Sequence, residues 1–200
     1  MEHIDKKYLS PTAIIDSDHP GIIEYANDKL RGAGKDPVAG AVKLYYAVRD
    51  GIWYDPYYPF YLPEHYRASR ASGIPSRVGF GTVRNHLATQ KLIDFMGSDI
   101  FVYHGFTEFY LEGQWVKSTP TFNAELCKKH QVIPLEFNGR QDSIFHSYNT
   151  EKEQFMEYLE FHGTYTDIPV DDILTAWKKA YGKDRIAKWI EDLEKAKTAV

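Results

Sequence analysis

Only one cysteine, Cys127, occurs among the 200 residues. An internal disulfide is therefore excluded, and neither a Cys-x-x-Cys knuckle nor a His-Glu-x-x-His metal motif is present. No apolar stretch approaches the roughly 20 residues that a membrane-crossing helix requires. The opening Met1-Glu-His-Ile-Asp-Lys-Lys lacks the apolar run of a secretory signal, so the expectation is a soluble, cytoplasmic protein with no membrane partner. Basic residues gather into no long run and the formal charge is −4, which disfavours nucleic acid as a main partner. Internal repeats, low-complexity tracts and a convincing linker are lacking too, and a single domain over residues 1–200 is the simplest organisation.

What is present is a chain rich in aromatics. Hydrophobic residues make up 43% and aromatic residues 15%, with Tyr the most frequent aromatic at 15 residues. That supports one sizeable core, and tyrosine's apolar body with a polar tip suits pocket walls. Residues 8–16 read as a short extended segment. Asp18 and Pro20 then signal a helix with Ile22, Ile23, Ala26 and Leu30 on its apolar side, ended by Gly32 and Gly34. Asp36-Pro37 starts a second, with Val38, Ala41, Val42, Tyr45, Val48 and Ile52 at helical spacing. The Pro- and aromatic-rich stretch 55–63 predicts an ordered irregular loop. Trp53, Tyr54, Tyr57, Tyr58, Phe60, Tyr61 and Tyr66 cluster around it, as loop-anchoring core or as the wall of a substrate groove.

Further along, 76–83 reads as a strand and 85–96 as a helix. Residues 100–111 and 115–118 read as strands joined by the turn Glu112-Gly113-Gln114. A short helix is expected over 124–130, a strand over 132–137 and a helix over 151–161. Two surface helices follow at 171–181 and 184–198, within a helical extension covering 169–200. Helices, then strands, then helices favour an α+β fold.

Two stretches carry a family likeness. Ser72-Gly-Ile-Pro-Ser-Arg-Val-Gly-Phe80 resembles the Ala-x-Gly-Ile-Pro-Ala-Arg strand of transglutaminase-like proteins. His104-Gly-Phe-Thr-Glu-Phe-Tyr-Leu-Glu-Gly-Gln-Trp-Val-Lys-Ser-Thr-Pro-Thr121 is similar to their histidine strand, Gly-x-Trp turn and closing Pro-Thr. Shorter pieces look like one bacterial subfamily: Tyr54-Asp-Pro-Tyr57, Tyr66-Arg-Ala-Ser69, Val83-Arg-Asn-His-Leu-Ala-Thr89, Asp142-Ser-Ile-Phe-His146 and Met156-Glu-Tyr158. The resemblance spans residues 8–169. It implies a transglutaminase-like, papain-like core in which helices pack an antiparallel sheet.

Such proteins use a Cys–His–Asp or Cys–His–Asn arrangement, with the cysteine at the N-terminus of a central helix. That helix would fall between Ser69 and Gly73, where the repeated Arg67-Ala-Ser69 and Arg70-Ala-Ser72 mark a seam. A turn and a helix, on the order of twenty residues, are missing. A natural loss, a deliberate deletion and residues left out of the sequence as written are three open alternatives.

The resemblance assigns His104 the proton-transfer role and places Thr119 where relatives often carry Asp. Asn123 is the alternative orienting residue, and turn chemistry or helix capping accounts for Thr119 and Asn123 equally well. Tyr103, His86, Asn85, Glu108, Trp115 and Tyr57 are the candidate substrate-binding residues. Two positions four apart on a strand share a face, so His104 and Glu108 with His86 form a conceivable His/His/Glu metal site; satisfied polar residues are the default, and no metal or cofactor is expected. Cys127 reads as a small buried hydrophobe, with Lys128 and His130 as neighbours able to depress its pKa.

Three functions compete. One is a hydrolase or acyltransferase of cysteine-protease type acting on a peptide, protein or small amide, impaired by the absent segment. Another is a pseudoenzyme that binds a ligand or peptide in the same cleft. The third is a metal-dependent His/Glu enzyme. A homo-oligomer is compatible with each.

Overall fold

A computed structural model describes residues 4–52, 68–120, 122–144 and 148–198. Its centre is a four-stranded antiparallel sheet of order β3-β2-β1-β4, built from β1 (Ser76–Asn85), β2 (Ile100–Leu111), β3 (Gln114–Ser118) and β4 (Met156–Tyr165). The helices are α1 (Pro20–Lys29), α2 (Pro37–Gly51), α3 (Ala68–Ala71), α4 (Gln90–Met96), α5 (Ala124–Lys129), α6 (Val170–Tyr181) and α7 (Lys183–Thr198). The expected α+β class with an antiparallel sheet is what forms. Among the described residues, no helix is long and apolar enough to cross a membrane.

Start signals explain several elements. The Asp36 carboxylate accepts from Val38 N at 2.9 Å and Pro37 opens α2, whose Val38, Ala41, Leu44 and Tyr45 are buried. Glu112 and Gly113, both at positive φ, make the β2–β3 turn. Gly97 ends α4 in the left-handed conformation at φ 76°, where a side chain would be strained.

Several expectations need correction. His19, not Asp18, caps α1: its Nδ1 accepts from Gly21 N at 3.2 Å. Residues 8–16, expected as a short extended segment, instead follow a 3-10 turn over Lys6–Tyr8 with turns and bends. The helix expected at 85–96 begins only at Gln90, because Asn85 still pairs with Met156 at the end of β1. Residues 132–137 are irregular: Val132 and Phe137 are buried, but no strand runs alongside them. The largest miss is 151–161, expected as a helix and found mostly in β4, which pairs with β1. Finally, α6 is more than a surface helix, since Ile173, Trp177 and Tyr181 are buried and Trp177 Nε1 donates to Val102 O at 2.8 Å. The 55–63 loop and the aromatic cluster, apart from its neighbours in sequence, lie outside the described residues.

Two apolar clusters flank the sheet. One joins Val78, Phe80, Val83, Phe101 and Met156 to α4, α6 and α7; the other joins Phe109, Leu111 and Val116 to α1, α2 and Phe137. At the start of β1, the buried Arg70 donates to Ser76 O at 2.9 and 3.1 Å, to Ser10 O at 3.1 Å and to Thr166 O at 2.6 Å. One guanidinium thereby ties three segments together immediately beside the seam read from the sequence.

Candidate functional site

His104 owes its position to an irregularity in β2. The β1–β2 register runs from Gly81 opposite His104 to Val83 opposite Phe101, so β2 carries one extra residue. Tyr103 sits at φ 58° within that bulge. Side chains alternate along a strand, so residues 101 and 104 would ordinarily face opposite ways. The extra residue reverses that parity, and Phe101 and His104 line one cavity. Tyr103 is occupied elsewhere: its ring stacks on His162 with centroids 4.3 Å apart.

The cavity encloses ≈ 470 Å³. Its walls come from the end of β1 and the following loop, α4, β2, Thr119 beyond β3, α5, and Phe155 with Met156. Most of the surface is apolar, contributed by residues such as Leu92, Phe101, Phe122, Val132 and Met156. Two polar atoms stand out against it. His104 Nδ1 and Thr119 Oγ1 are both sealed from solvent and have no hydrogen-bond partner. Leaving a buried polar atom unpaired costs about 1–3 kcal/mol, so two such atoms at one cavity are an informative exception to a packed interior. Burial holds the His104 imidazole neutral, with its pKa lowered to about 4.

Cys127 lines the same cavity, a placement that the sequence did not signal. It is buried, its Sγ lies 3.6 Å from Phe122 O as a weak donor, and burial raises its pKa. Cys127 is the small buried residue expected from the sequence; burial is the dominant influence on its thiol, opposed by the Arg49 charge and reinforced by Asp50, and neither Lys128 nor His130 is among the groups that shift it. A protonated thiol is a poor nucleophile.

The other candidates divide plainly. Asn85 contributes to the lining, although its Oδ1 accepts from Leu87 N at 3.1 Å. Asn123 does not reach the lining; its side chain caps α5 by accepting from Leu126 N at 2.8 Å. His86 Nε2 bonds Glu157 at 3.0 Å. Glu108 is buried in an ion pair with Arg77, and the Arg77 guanidinium lies over the Trp115 ring at 4.0 Å. His104, His86 and Glu108 are therefore each in a separate environment, and among the described residues no group of three His, Cys, Asp or Glu side chains is arranged to hold a metal ion. Tyr57 lies outside the described residues.

No family model matches the chain, and neither a curated protein nor a solved structure matches it either.

Proposed function

We propose that the chain is a transglutaminase-like domain whose histidine cleft binds a ligand without turning it over. The observation that carries this reading is the pair of sealed, unpartnered atoms, His104 Nδ1 and Thr119 Oγ1, at an apolar cavity of ≈ 470 Å³. A few convergent polar groups in a largely apolar hollow are the ordinary make-up of a small-molecule site. The sequence likeness adds the ancestry. In its relatives' chemistry a thiolate attacks and the histidine moves the proton; with the nucleophile segment missing at the Ser69–Arg70 seam, what is left is a cleft that holds amides or related small molecules.

A second reading has one observation in its favour, namely that Cys127 shares the cavity with His104. In it, Cys127 replaces the lost nucleophile for amide hydrolysis or acyl transfer. The protonated thiol, turned to Phe122 O, and the absence of a carboxylate at Thr119 weigh against it. Iodoacetamide labelling at neutral pH separates the two. Binding without turnover predicts slow modification of native Cys127 and fast modification after unfolding, with short peptide amides recovered intact. Rapid labelling of the native protein together with release of ammonia or amine from those amides would establish the catalytic reading instead.

A further inference from the structure

A hydroxyl and an imidazole meet at a second place in the sheet. Thr82 Oγ1 on β1 and His162 Nε2 on β4 lie 2.8 Å apart, and neither residue lines the hollow around His104. Both strands flanking Thr82 are irregular here. The extra residue of β2 falls between the partners of Gly81 and Val83. In β4, His162 is an extra residue between the partners of Phe80 and Gly81, and Leu159 is another between those of Thr82 and Val83. Bulges re-aim side chains. These bring the Tyr103 ring flat onto the His162 ring, with centroids 4.3 Å apart and planes 8° from parallel. Tyr103 holds its φ of 58° in this arrangement, a conformation that costs a non-glycine residue on the order of 1–3 kcal/mol. Glu160 Oε1 is 4.0 Å from His162 Nδ1. A carboxylate on that side favours a proton at Nδ1, which leaves Nε2 to accept from the threonine hydroxyl. Burial, with Tyr165, Asp172 and Glu160 adding to it, pushes the Tyr103 hydroxyl up to about 12, so the stacked ring is neutral and His162 is the base.

We infer that Thr82, His162 and Glu160 form a hydroxyl-nucleophile site for small acyl esters, separate from the cleft at His104 and independent of it. Nucleophile and base within hydrogen-bond reach, with a third group behind the base, are the geometric signature of such chemistry. Thr82 Oγ1 bonds to the ester carbonyl carbon, and the bond from that carbon to the alcohol oxygen breaks. The hydroxyl proton passes to His162 Nε2 and on to the departing alkoxide. Water then repeats the exchange. Its oxygen bonds to the acyl carbon, the Thr82 ester bond breaks, a water proton returns through His162 to Thr82 Oγ1, and the acid leaves. Glu160 acts through His162 as a positioning residue. Thr82 is 8% exposed and the His162 side chain 14%, whereas the Glu160 side chain is 68% exposed on β4, at one end of the described sheet. The approach is narrow, which selects a short acyl group.

Incubating the full chain with 4-nitrophenyl acetate, quenching in acid during turnover and mapping the adduct by mass spectrometry tests the inference. The acetyl group should be found on Thr82. Hydrolysis should fall about a hundredfold in T82V, which keeps the shape of the side chain, and T82S should recover much of it. In E160Q the pH of half-maximal rate should move downward, because the imidazolium loses its neighbouring carboxylate; a merely structural role would leave it in place. Equal rates for the wild type and T82V, or acetyl groups on lysines or Cys127 alone, overturn the inference. An unmoved pH profile in E160Q overturns the role given to Glu160.

Discussion

His104 and Glu108 sit four residues apart on β2, and both carry polar atoms withdrawn from water, yet their surroundings are opposite. Glu108 is paired with Arg77, which in turn lies over the Trp115 ring at 4.0 Å; Trp115 is itself packed edge-on by Tyr8 at 4.9 Å. Every member of that group has a neighbour matched to it. His104, by contrast, lies at a cavity with its Nδ1 unpaired and no charge at hand to stabilise the imidazolium. Burial alone therefore does not identify a functional polar residue. Glu108 was a candidate on the same strand logic as His104, and its completed ion pair marks it as part of the scaffold. What sets His104 and Thr119 apart is that both residues line the cavity while each keeps a buried polar atom unpaired.

That contrast can be broken from either side. The largest effect is expected for Glu108→Gln, which leaves Arg77 without its counter-charge and should lower unfolding stability by about 3 kcal/mol; denaturant melts measure it. Replacing both partners with apolar residues of similar volume should recover most of that loss. Next is the pH response of His104. In the unfolded chain its ring takes up a proton below its ordinary value of about 6.5, whereas the folded ring resists to about pH 4. The folded state is thus progressively disfavoured as pH falls across that window, and no such penalty exists above it. Full development of the shift amounts to about 3 kcal/mol, and the partial exposure of the residue reduces the expectation to about 2. Melts of the wild type and His104→Phe between pH 7 and pH 4 should differ in slope by that amount. The smallest effect is expected for Thr119→Val. Since Oγ1 has no partner, its removal should change stability by less than about 0.5 kcal/mol or raise it, while weakening any ligand that bonds to the hydroxyl.

Much of the fold was legible where a local signal and the tertiary arrangement agree. Asp36-Pro37 announced α2, and Glu112-Gly113 announced the β2–β3 hairpin, because capping and turn chemistry are decided within a few residues. Residues 151–161 misled because Glu, Lys, Gln and Met favour helix and Phe155, Met156 and Leu159 fall at helix-like spacing. Pairing of Met156 through Tyr165 with β1 overrides that preference. Residues 132–137 failed the other way: their composition is strand-like, but they join no described strand of the sheet. At the site, His104 and Thr119 were both named from their sequence context, and the structure puts both on the lining of one cavity. Asn123 proved to be a helix cap. The approach of Cys127 to the same cavity was invisible, since it depends on α5 and β2 meeting around one hollow and on the bulge at Tyr103 that redirects His104. A one-residue change of register has no compositional signature.

The central claim is that His104 is a neutral, unpaired imidazole at an apolar cavity. Following its ring nitrogens by NMR as pH is lowered tests that directly. The account predicts that the His104 ring stays neutral until about pH 4 and that its Nδ1 resonance moves when a cavity ligand is added. A ring that titrates at its ordinary value, near 6.5, or that is already charged at neutral pH, would contradict it.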